Sequence, residues 1–365
     1  MSENAGIIAP AAGEILKECQ LCDRAPPVPL SLCGACRVVY YCCRDHQVED
    51  RPTHKDVCKE VSAAKAAVDK TKGVIFASAA LGASKPGGGL GVSAATGRAQ
   101  YNDYVGALSD YGQALIKAGT QEALVEALLT YKQMLDLRRN DPRSLDALKI
   151  IPGLFIRLDR DQEAYDACLW IQQNDGNLNN WQTDKSVPIL DLDDQYPVDA
   201  DPLEVFDKEN IENTSYVILI LMRMHLGFKA ALRAKSGNPT LTDMEVFETA
   251  HETEAMDIVA RHPELLTDNA AKALFLQRTV AGAMGLAAAI NEYNPFYWGK
   301  LGNFDLYEDQ RIEPGSVFPP GTLSEAEQAI SFTHSVWKAN SGIYKILADS
   351  IRSMPRQPNT GKYLK

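Results

Sequence analysis

The sequence predicts a mainly α-helical protein in which a small cysteine-rich module precedes a large all-helical domain. Seven of the eight cysteines lie between Cys19 and Cys58, so one short segment carries nearly all of the thiols. From about Tyr101 onwards, apolar residues return every three or four positions, which is the period of an amphipathic helix. Helix-start signals recur in this second part, as at Asp141-Pro142, where a capping residue precedes a first-turn proline.

The overall composition is that of a globular chain of about two domains. The 365 residues are 45% hydrophobic and carry a net charge of −11, which disfavours non-specific binding to nucleic acid. The N-terminus lacks the basic start and apolar core of a secretion signal. The longest apolar run, Val217 to Met222, is too short to cross a bilayer. We therefore expect a soluble intracellular protein, in cytoplasm or nucleus, without nucleic-acid or membrane partners.

The cysteine-rich segment contains metal-ligand pairs rather than a disulfide framework, as expected in a reducing compartment. Four pairs supply eight ligands, enough for two closed tetrahedral zinc sites. The pairs are Cys19-x2-Cys22, Cys33-x2-Cys36, Cys42-x3-His46 and His54-x3-Cys58. The x2 pairs predict tight turns known as knuckles, and the x3 pairs predict ligands one turn apart on short helices.

Spacing alone does not decide which pairs share a metal. A RING finger also interleaves two zinc sites, but its later pairs have x2 spacing, whereas here they have x3 spacing. Cys43 is an additional thiol that could replace Cys42, although Cys42 has the better helical spacing to His46.

The run CGACRVVYYCCRDHQVEDRPTHKDVC resembles the MYND zinc finger. The resemblance implies interleaved sites, one formed by Cys19, Cys22, Cys42 and His46 and the other by Cys33, Cys36, His54 and Cys58. His46 stands where most members have cysteine, and Arg51 stands where many have a tryptophan that helps to bind peptides. Gln47 matches the glutamine of the family.

Four protein ligands at each site leave no position for water or substrate, so both zinc ions are expected to be structural. From Lys17 to Glu60, seven basic side chains balance seven acidic ones, and we expect no basic helix in this segment. The module is therefore predicted to bind a protein or peptide rather than DNA.

The domain organisation predicted from these patterns has four parts. Residues 1–18 form a tail, 19–58 the finger, 59–100 a helix with a Gly/Ala/Ser-rich linker, and 101–365 the helical domain. Two successive helix pairs within 101–174 resemble a tetratricopeptide-like arrangement. The polar and acidic stretch 176–212 predicts a solvated loop, because a calcium-binding EF-hand would need glycine where Tyr196 stands.

Later helices are marked by two capping boxes, Thr242-x2-Glu245 and Thr322-x2-Glu325. Small residues in NAAKALFLQRTVAGAMGLAAAINEY predict close helix packing. The densest aromatic group lies within 293–298 and is expected to pack in a core.

Beyond the finger, three stretches of the chain are IPGLFIRLDRDQEAYD, NPFYWGKL and EAEQAISFTHSVWKANSGIY. With these stretches, the whole chain resembles a fungal family of MYND-finger proteins that have a helical C-terminal region. We expect an interaction adaptor acting in regulation of transcription or development. The alternative is an enzyme with an unrecognised site in the helical domain. A SET-type methyltransferase is disfavoured, because only eighteen residues precede Cys19 and no Asn-His-Ser/Cys motif follows. The sequence contains no recognised catalytic motif, so we expect no enzyme activity.

Overall fold

The computed structural model confirms a small finger followed by a large all-helical region, and it shows that the finger also contains two short strands. It describes residues 17–22, 29–83, 94–137, 141–174, 190, 201–236, 264–307, 313 and 315–353. The chain divides into two compact units, the first ending at Ala147 and the second starting at Leu148. The predicted domain limits and the tetratricopeptide-like arrangement of 101–174 stay predictions.

The finger is built on a short antiparallel ribbon. Strand β1 (Ser31–Leu32) pairs with β2 (Tyr40–Tyr41), with Ser31 opposite Tyr41 and Leu32 opposite Tyr40. The intervening turn includes Arg37 at φ 61°, a left-handed conformation that closes the loop back onto β2. The ribbon thereby holds the turn that contains Cys33 and Cys36.

Helix α1 (Arg44–Ala83) differs from the prediction of separate short helices. It runs without interruption from the finger through the helix predicted after Cys58 and into the first part of the predicted linker, ending at Ala83, although Pro52 lies inside it. The physical reason is the alanine content of that segment, because alanine has the highest helix propensity. Residues 84–93, with most of the glycines of the predicted linker, lie outside the described residues.

Two further helices complete the first unit together with the start of α4. Helix α2 (Ala94–Ala118) packs against α1 and against α3 (Gln121–Leu137). Gly119, at φ 71°, ends α2, and the Thr120 hydroxyl caps α3 by accepting from Ala123 N at 3.2 Å. Apolar residues at helical spacing on α2 and α3 are buried, as the sequence pattern predicts.

A glycine on α2 permits the close approach of α3. A Cβ placed on Gly112 would lie 2.6 Å from the ring of Tyr131, which is only 1% exposed. We expect Gly112→Ala to destabilise the first unit by about 1–3 kcal/mol through overpacking. Gly106→Ala is the matched control on the same helix, because its nearest neighbour would be an Arg143 carbon at 4.0 Å.

Hydrogen exchange of α2 and α3 measures the effect locally. Gly106→Ala should leave protection unchanged or raise it, because alanine favours a helix over glycine. Equal protection in the two variants would show that the Tyr131 contact does not restrict residue 112.

The second unit contains the remaining helices. Their bounds are α4 (Pro142–Arg157, shared with the first unit), α5 (Asp161–Asn174), α6 (Pro202–Val205), α7 (Ile211–Ser236), α8 (Glu264–Thr267), α9 (Asn269–Tyr293), α10 (Tyr297–Leu301), α11 (Leu323–Ala339) and α12 (Ser341–Ser353). A 3-10 turn, Phe304–Tyr307, follows α10. Helix α7 is buried along most of its described length and contacts α5, α9 and α11, so it forms the centre of this unit.

Helix α9 packs closely through its small residues, as predicted. A Cβ on Gly282 would meet Pro202 at 3.0 Å, and one on Gly285 would meet Leu203 at 2.8 Å.

Helix α9 is also long and apolar enough to cross a membrane. Its most apolar 18 residues have a mean hydropathy of 1.5, and 39% of this stretch is buried. Core helices of soluble proteins meet the same criteria, and α9 packs its Leu286 and Ile290 inside this unit.

The aromatic group of 293–298 is mainly a packing element. Tyr297 and Trp298 are buried, and Trp298 meets Trp337 edge to face at 5.7 Å, whereas Phe296 is 44% exposed. The Thr322 capping box is present, with Glu325 N donating to the Thr322 hydroxyl at 3.3 Å. The Thr242 capping box lies outside the described residues, as does most of the acidic stretch 176–212.

Candidate metal centre

Two groups of four ligand residues come together in the finger. Site A consists of Cys19, Cys22, Cys42 and His46, and site B of Cys33, Cys36, His54 and Cys58. Within each site, one ligand atom from every residue lies within 4.8 Å of the others. These are the two interleaved clusters that the resemblance implied.

The distances within each site fit tetrahedral zinc. With Zn–S of about 2.3 Å and Zn–N of about 2.0–2.1 Å, a regular tetrahedron has S–S edges of about 3.8 Å and S–N edges of about 3.5–3.6 Å. The Cys22–Cys42 and Cys33–Cys58 sulfurs are each 3.7 Å apart. The Cys19 sulfur lies 3.5 Å from His46 Nδ1, and the Cys36 sulfur 3.5 Å from His54 Nε2. Three thiolates and one imidazole per site therefore suit a zinc ion in both composition and geometry.

Site A joins the start of the finger to the start of α1. The Cys19–Cys22 knuckle is held against β2 by a hydrogen bond from Gln20 N to Tyr40 O at 2.9 Å. Cys42 directly follows β2, and His46 lies in the first turn of α1, with Nδ1 3.2 Å from the Cys42 sulfur. This site thus depends on the ribbon and on the first helical turn.

Site B joins the turn of the ribbon to the middle of α1. Cys33 N donates to Val39 O at 2.8 Å, and Arg37 N donates to Cys33 O at 3.0 Å, which fixes the knuckle. His54 and Cys58 lie one turn apart on α1, as their x3 spacing predicted. Cys33 and Cys36 are both buried, so this site is more enclosed than site A, where only Cys19 is buried.

Backbone donors prepare the first cysteine of each knuckle for metal binding. Burial raises the pKa of Cys19, but the N–H groups of Cys42, Leu21 and Cys22 outweigh it and lower the pKa to about 6. Burial likewise opposes ionisation of Cys33, and N–H groups of the knuckle bring its pKa to about 6. Because zinc binds the thiolate, these donors favour the metal-binding form near neutral pH.

Two other ligand thiols, Cys36 and Cys42, need a nearby positive charge to ionise near neutral pH. Burial and neighbouring sulfurs raise the pKa of Cys36 to about 12, and burial and hydrogen bonds with cysteines raise the pKa of Cys42 to about 12. Several thiolates confined so closely repel one another, and a divalent cation compensates that repulsion.

A polar contact that sequence reasoning missed supports His54. The Tyr41 hydroxyl donates to Asp50 Oδ2 at 2.6 Å, and the Thr53 hydroxyl donates to Asp50 Oδ1 at 2.6 Å. The Tyr41 ring, 2% exposed, lies edge-on to His54 at 6.2 Å. Asp50 thus ties β2 to the turn of α1 that presents His54, and no motif in the sequence signalled this pairing.

The finger is also bonded to the helices of its own unit. The Thr120 hydroxyl, between α2 and α3, donates to Val38 O next to the site B knuckle. Beyond the finger, ion pairs connect α1 to the neighbouring helices, with Lys65 at 3.3 Å from Glu126 and Glu60 at 3.2 Å from Lys117. Helix α1 therefore continues from the finger into the helical packing of the first unit.

Comparison with known protein families identifies this arrangement. The family model described as the MYND finger matches residues 19–58, which span all eight ligands. Residues 19–58 are a MYND-type zinc finger. Searches with the chain against curated proteins and against solved structures gave no match.

The MYND finger uses Cys42 and leaves Cys43 outside its sites. Cys43 is exposed, and its sulfur lies 4.0 Å from that of Cys42. Of the residues that the resemblance singled out, Gln47 is half-buried and Arg51 is exposed on α1. Neither belongs to a metal site.

Two of the titratable candidates outside the MYND finger, His225 and Cys168, pack inside the second unit. His225 Nδ1 lies 3.1 Å from Leu276 O and 3.2 Å from the Thr279 hydroxyl, and burial lowers its pKa. Cys168 is fully buried, and burial raises its pKa. Among the described residues, the only His/Cys/Asp/Glu groupings suited to a metal are sites A and B.

Proposed function

We propose that the protein is a zinc-dependent interaction adaptor that binds a protein or peptide partner through its MYND finger. The carrying observation is that each zinc site has four protein ligands in tetrahedral spacing. Such sites leave no coordination position for substrate, so their contribution is to fix a surface. MYND fingers commonly serve as protein-interaction modules.

The surface in question is the outer side of the N-terminal part of α1. His46, His54 and Cys58 face the metals, while Val48 is 57% exposed on the same helix. An exposed aliphatic side chain on a helix held by two metal sites is a rigid contact for a partner. The metals thus position the surface without touching the partner.

The proposal also concerns catalysis and the cellular compartment. An adaptor needs no catalytic group, and the alternative function is an enzyme whose active site lies in the helical region. Thiolate-rich zinc sites form in a reducing compartment, which favours the cytoplasm or nucleus. Regulation of transcription or development is the setting that we propose for the adaptor.

Two exposed valines on α1 provide a matched test. Val48 lies on the MYND finger and is 57% exposed, whereas Val74 lies further along α1 and is 44% exposed. We expect Val48→Asp to lose partners that the wild type and Val74→Asp both retain after affinity purification from native cells. Zinc content and far-ultraviolet circular dichroism should be the same in all three proteins, because neither valine is a ligand.

If both variants lose the same partners, or if neither variant loses any, the finger surface around Val48 is not the binding site. If no protein co-purifies specifically with the wild type, the adaptor proposal is wrong and enzyme assays on the helical region become the next step.

A further inference from the structure

A band of basic side chains follows the exposed face of α1 beside the metal sites. At about 100° per residue, the positions of Arg44, Val48, Arg51, Lys55 and Lys59 fall within a strip about 80° wide. All five side chains are exposed. This basic stripe, Arg44, Arg51, Lys55 and Lys59 with Val48 among them, concentrates four positive charges in a chain of net charge −11.

The balanced charge count from Lys17 to Glu60 does not reveal this stripe. The acidic residues of the same stretch, including Asp45, Glu49 and Asp56, occupy the neighbouring side of the helix, about 100–140° from Arg44. The expectation that the finger has no basic helix was therefore wrong for one face of α1. Helical geometry separates charges that look balanced in the sequence.

Within the described part of the chain, no ion pair reaches the four bases of the basic stripe. The ion pairs of the first unit use other bases, such as Lys65 and Lys117. Arg51, Lys55 and Lys59 follow one another at i, i+4 spacing, where like charges destabilise a helix by a few tenths of a kcal/mol per pair. An anionic partner would relieve this repulsion.

We propose that the basic stripe binds an acidic protein segment that places one aliphatic side chain on Val48. From Arg44 to Lys59 the stripe is about 22 Å long at 1.5 Å per residue. An extended segment of about seven residues spans that length. Carboxylates along the segment meet the four bases, and burial of an aliphatic side chain against Val48 adds an apolar contact.

Val48 distinguishes this partner from a nucleic acid. A phosphate backbone offers charge but no aliphatic group for an apolar side chain in the middle of the stripe. The net charge of −11 also opposes approach of a long polyanion more than that of a short acidic peptide. The stripe therefore favours an acidic peptide.

This inference rests on the proposed adaptor function and is tested on the full zinc-loaded chain with a defined probe. The probe is a fluorescein-labelled peptide of about nine residues, long enough for the stripe, with a central leucine and glutamates on both sides. Fluorescence anisotropy measures its binding. Arg51→Glu with Lys55→Glu should weaken binding at least about tenfold, because attraction becomes repulsion. Lys70→Glu with Lys72→Glu, two exposed bases further along α1, should change it less than about twofold.

A charge exchange makes the test specific. A peptide with lysines in place of glutamates should bind the Arg51→Glu, Lys55→Glu protein better than it binds the wild type. The inference is overturned if the two double variants bind the acidic probe equally, or if the wild type does not bind it. It is also overturned if a single-stranded oligonucleotide, and not the peptide, depends on the stripe.

Failure of this inference is distinguishable from failure of the adaptor proposal. If a partner is lost only from Val48→Asp and the acidic probe does not bind, the adaptor proposal is supported and the proposal of an acidic partner is wrong. If the probe binds through the basic stripe but no partner in cells depends on Val48, the stripe is an anionic-peptide site and the adaptor proposal is wrong.

Discussion

Replacing Cys33 and Cys58 with serine is expected to unfold the MYND finger and to remove the hydrogen-exchange protection of α2 and α3. Both residues are ligands of site B, which joins the ribbon to the middle of α1. Structural zinc contributes about 10–16 kcal/mol in small zinc modules, comparable with the whole stability of a domain. Zinc content, helical circular dichroism and hydrogen-exchange protection should therefore all fall together.

The helices are included in this prediction because their contacts with the finger are extensive. Thr120 bonds to Val38 beside the site B knuckle, and α1 continues from Cys58 into its packing against α2. Val61, one turn after Cys58, is fully buried. Loss of the metal releases the start of this helix and weakens the packing beyond it.

Cys43→Ser is the matched control, since it removes a thiol from the same segment but from neither site. It should retain two zinc ions and normal exchange. Two results would contradict the prediction: a site B variant with unchanged protection of α2 and α3, or a Cys43→Ser protein that loses zinc.

The second large effect is expected from Arg223→Met, in the centre of the second unit. Arg223 Nε donates to Asp161 Oδ2 at 2.7 Å, and its Nη2 donates to Asp159 Oδ1 at 2.7 Å. The side chains of Arg223 and Asp161 are only 4% and 6% exposed. Methionine preserves much of the volume but removes the guanidinium that pairs with the buried Asp161 carboxylate, and breaking a buried ion pair costs about 3–5 kcal/mol. Chemical unfolding and hydrogen exchange of α5 and α7 measure this loss.

An exposed pair supplies the control for that experiment. Arg352 Nη2 lies 3.0 Å from Asp349 Oδ1, and the two side chains are 75% and 77% exposed. Arg352→Met should leave the unfolding curve unchanged, because solvent screens such a pair. If Arg223→Met is no more destabilising than Arg352→Met, the buried pair does not stabilise the second unit.

The sequence and the structure agree best where ligand chemistry is local. The x2 and x3 spacings identify four ligand pairs, because the backbone of a knuckle or a helical turn fixes how far apart two neighbouring ligands can lie. The spacing did not decide which pairs combine, and the interleaved assignment came from the family resemblance. The structure confirms it by bringing Cys22 to Cys42 and Cys33 to Cys58.

Helix limits were predicted less well than helix positions. The capping residues at Asp141 and Thr322 marked starts that the structure contains, because a cap acts through its own first turn. The continuity of α1 was missed, since glycines further along the segment suggested a linker while its alanines sustain a helix.

By itself, the sequence determined the ligand types, their local spacing and the helical character of the chain, all of which depend on neighbours within a few residues. Only the tertiary structure decided the partners of Tyr41, Thr120 and Arg223, because those contacts join residues distant in sequence. It also decided that the bases of α1 share one exposed face, since charge counts do not record burial or direction around a helix.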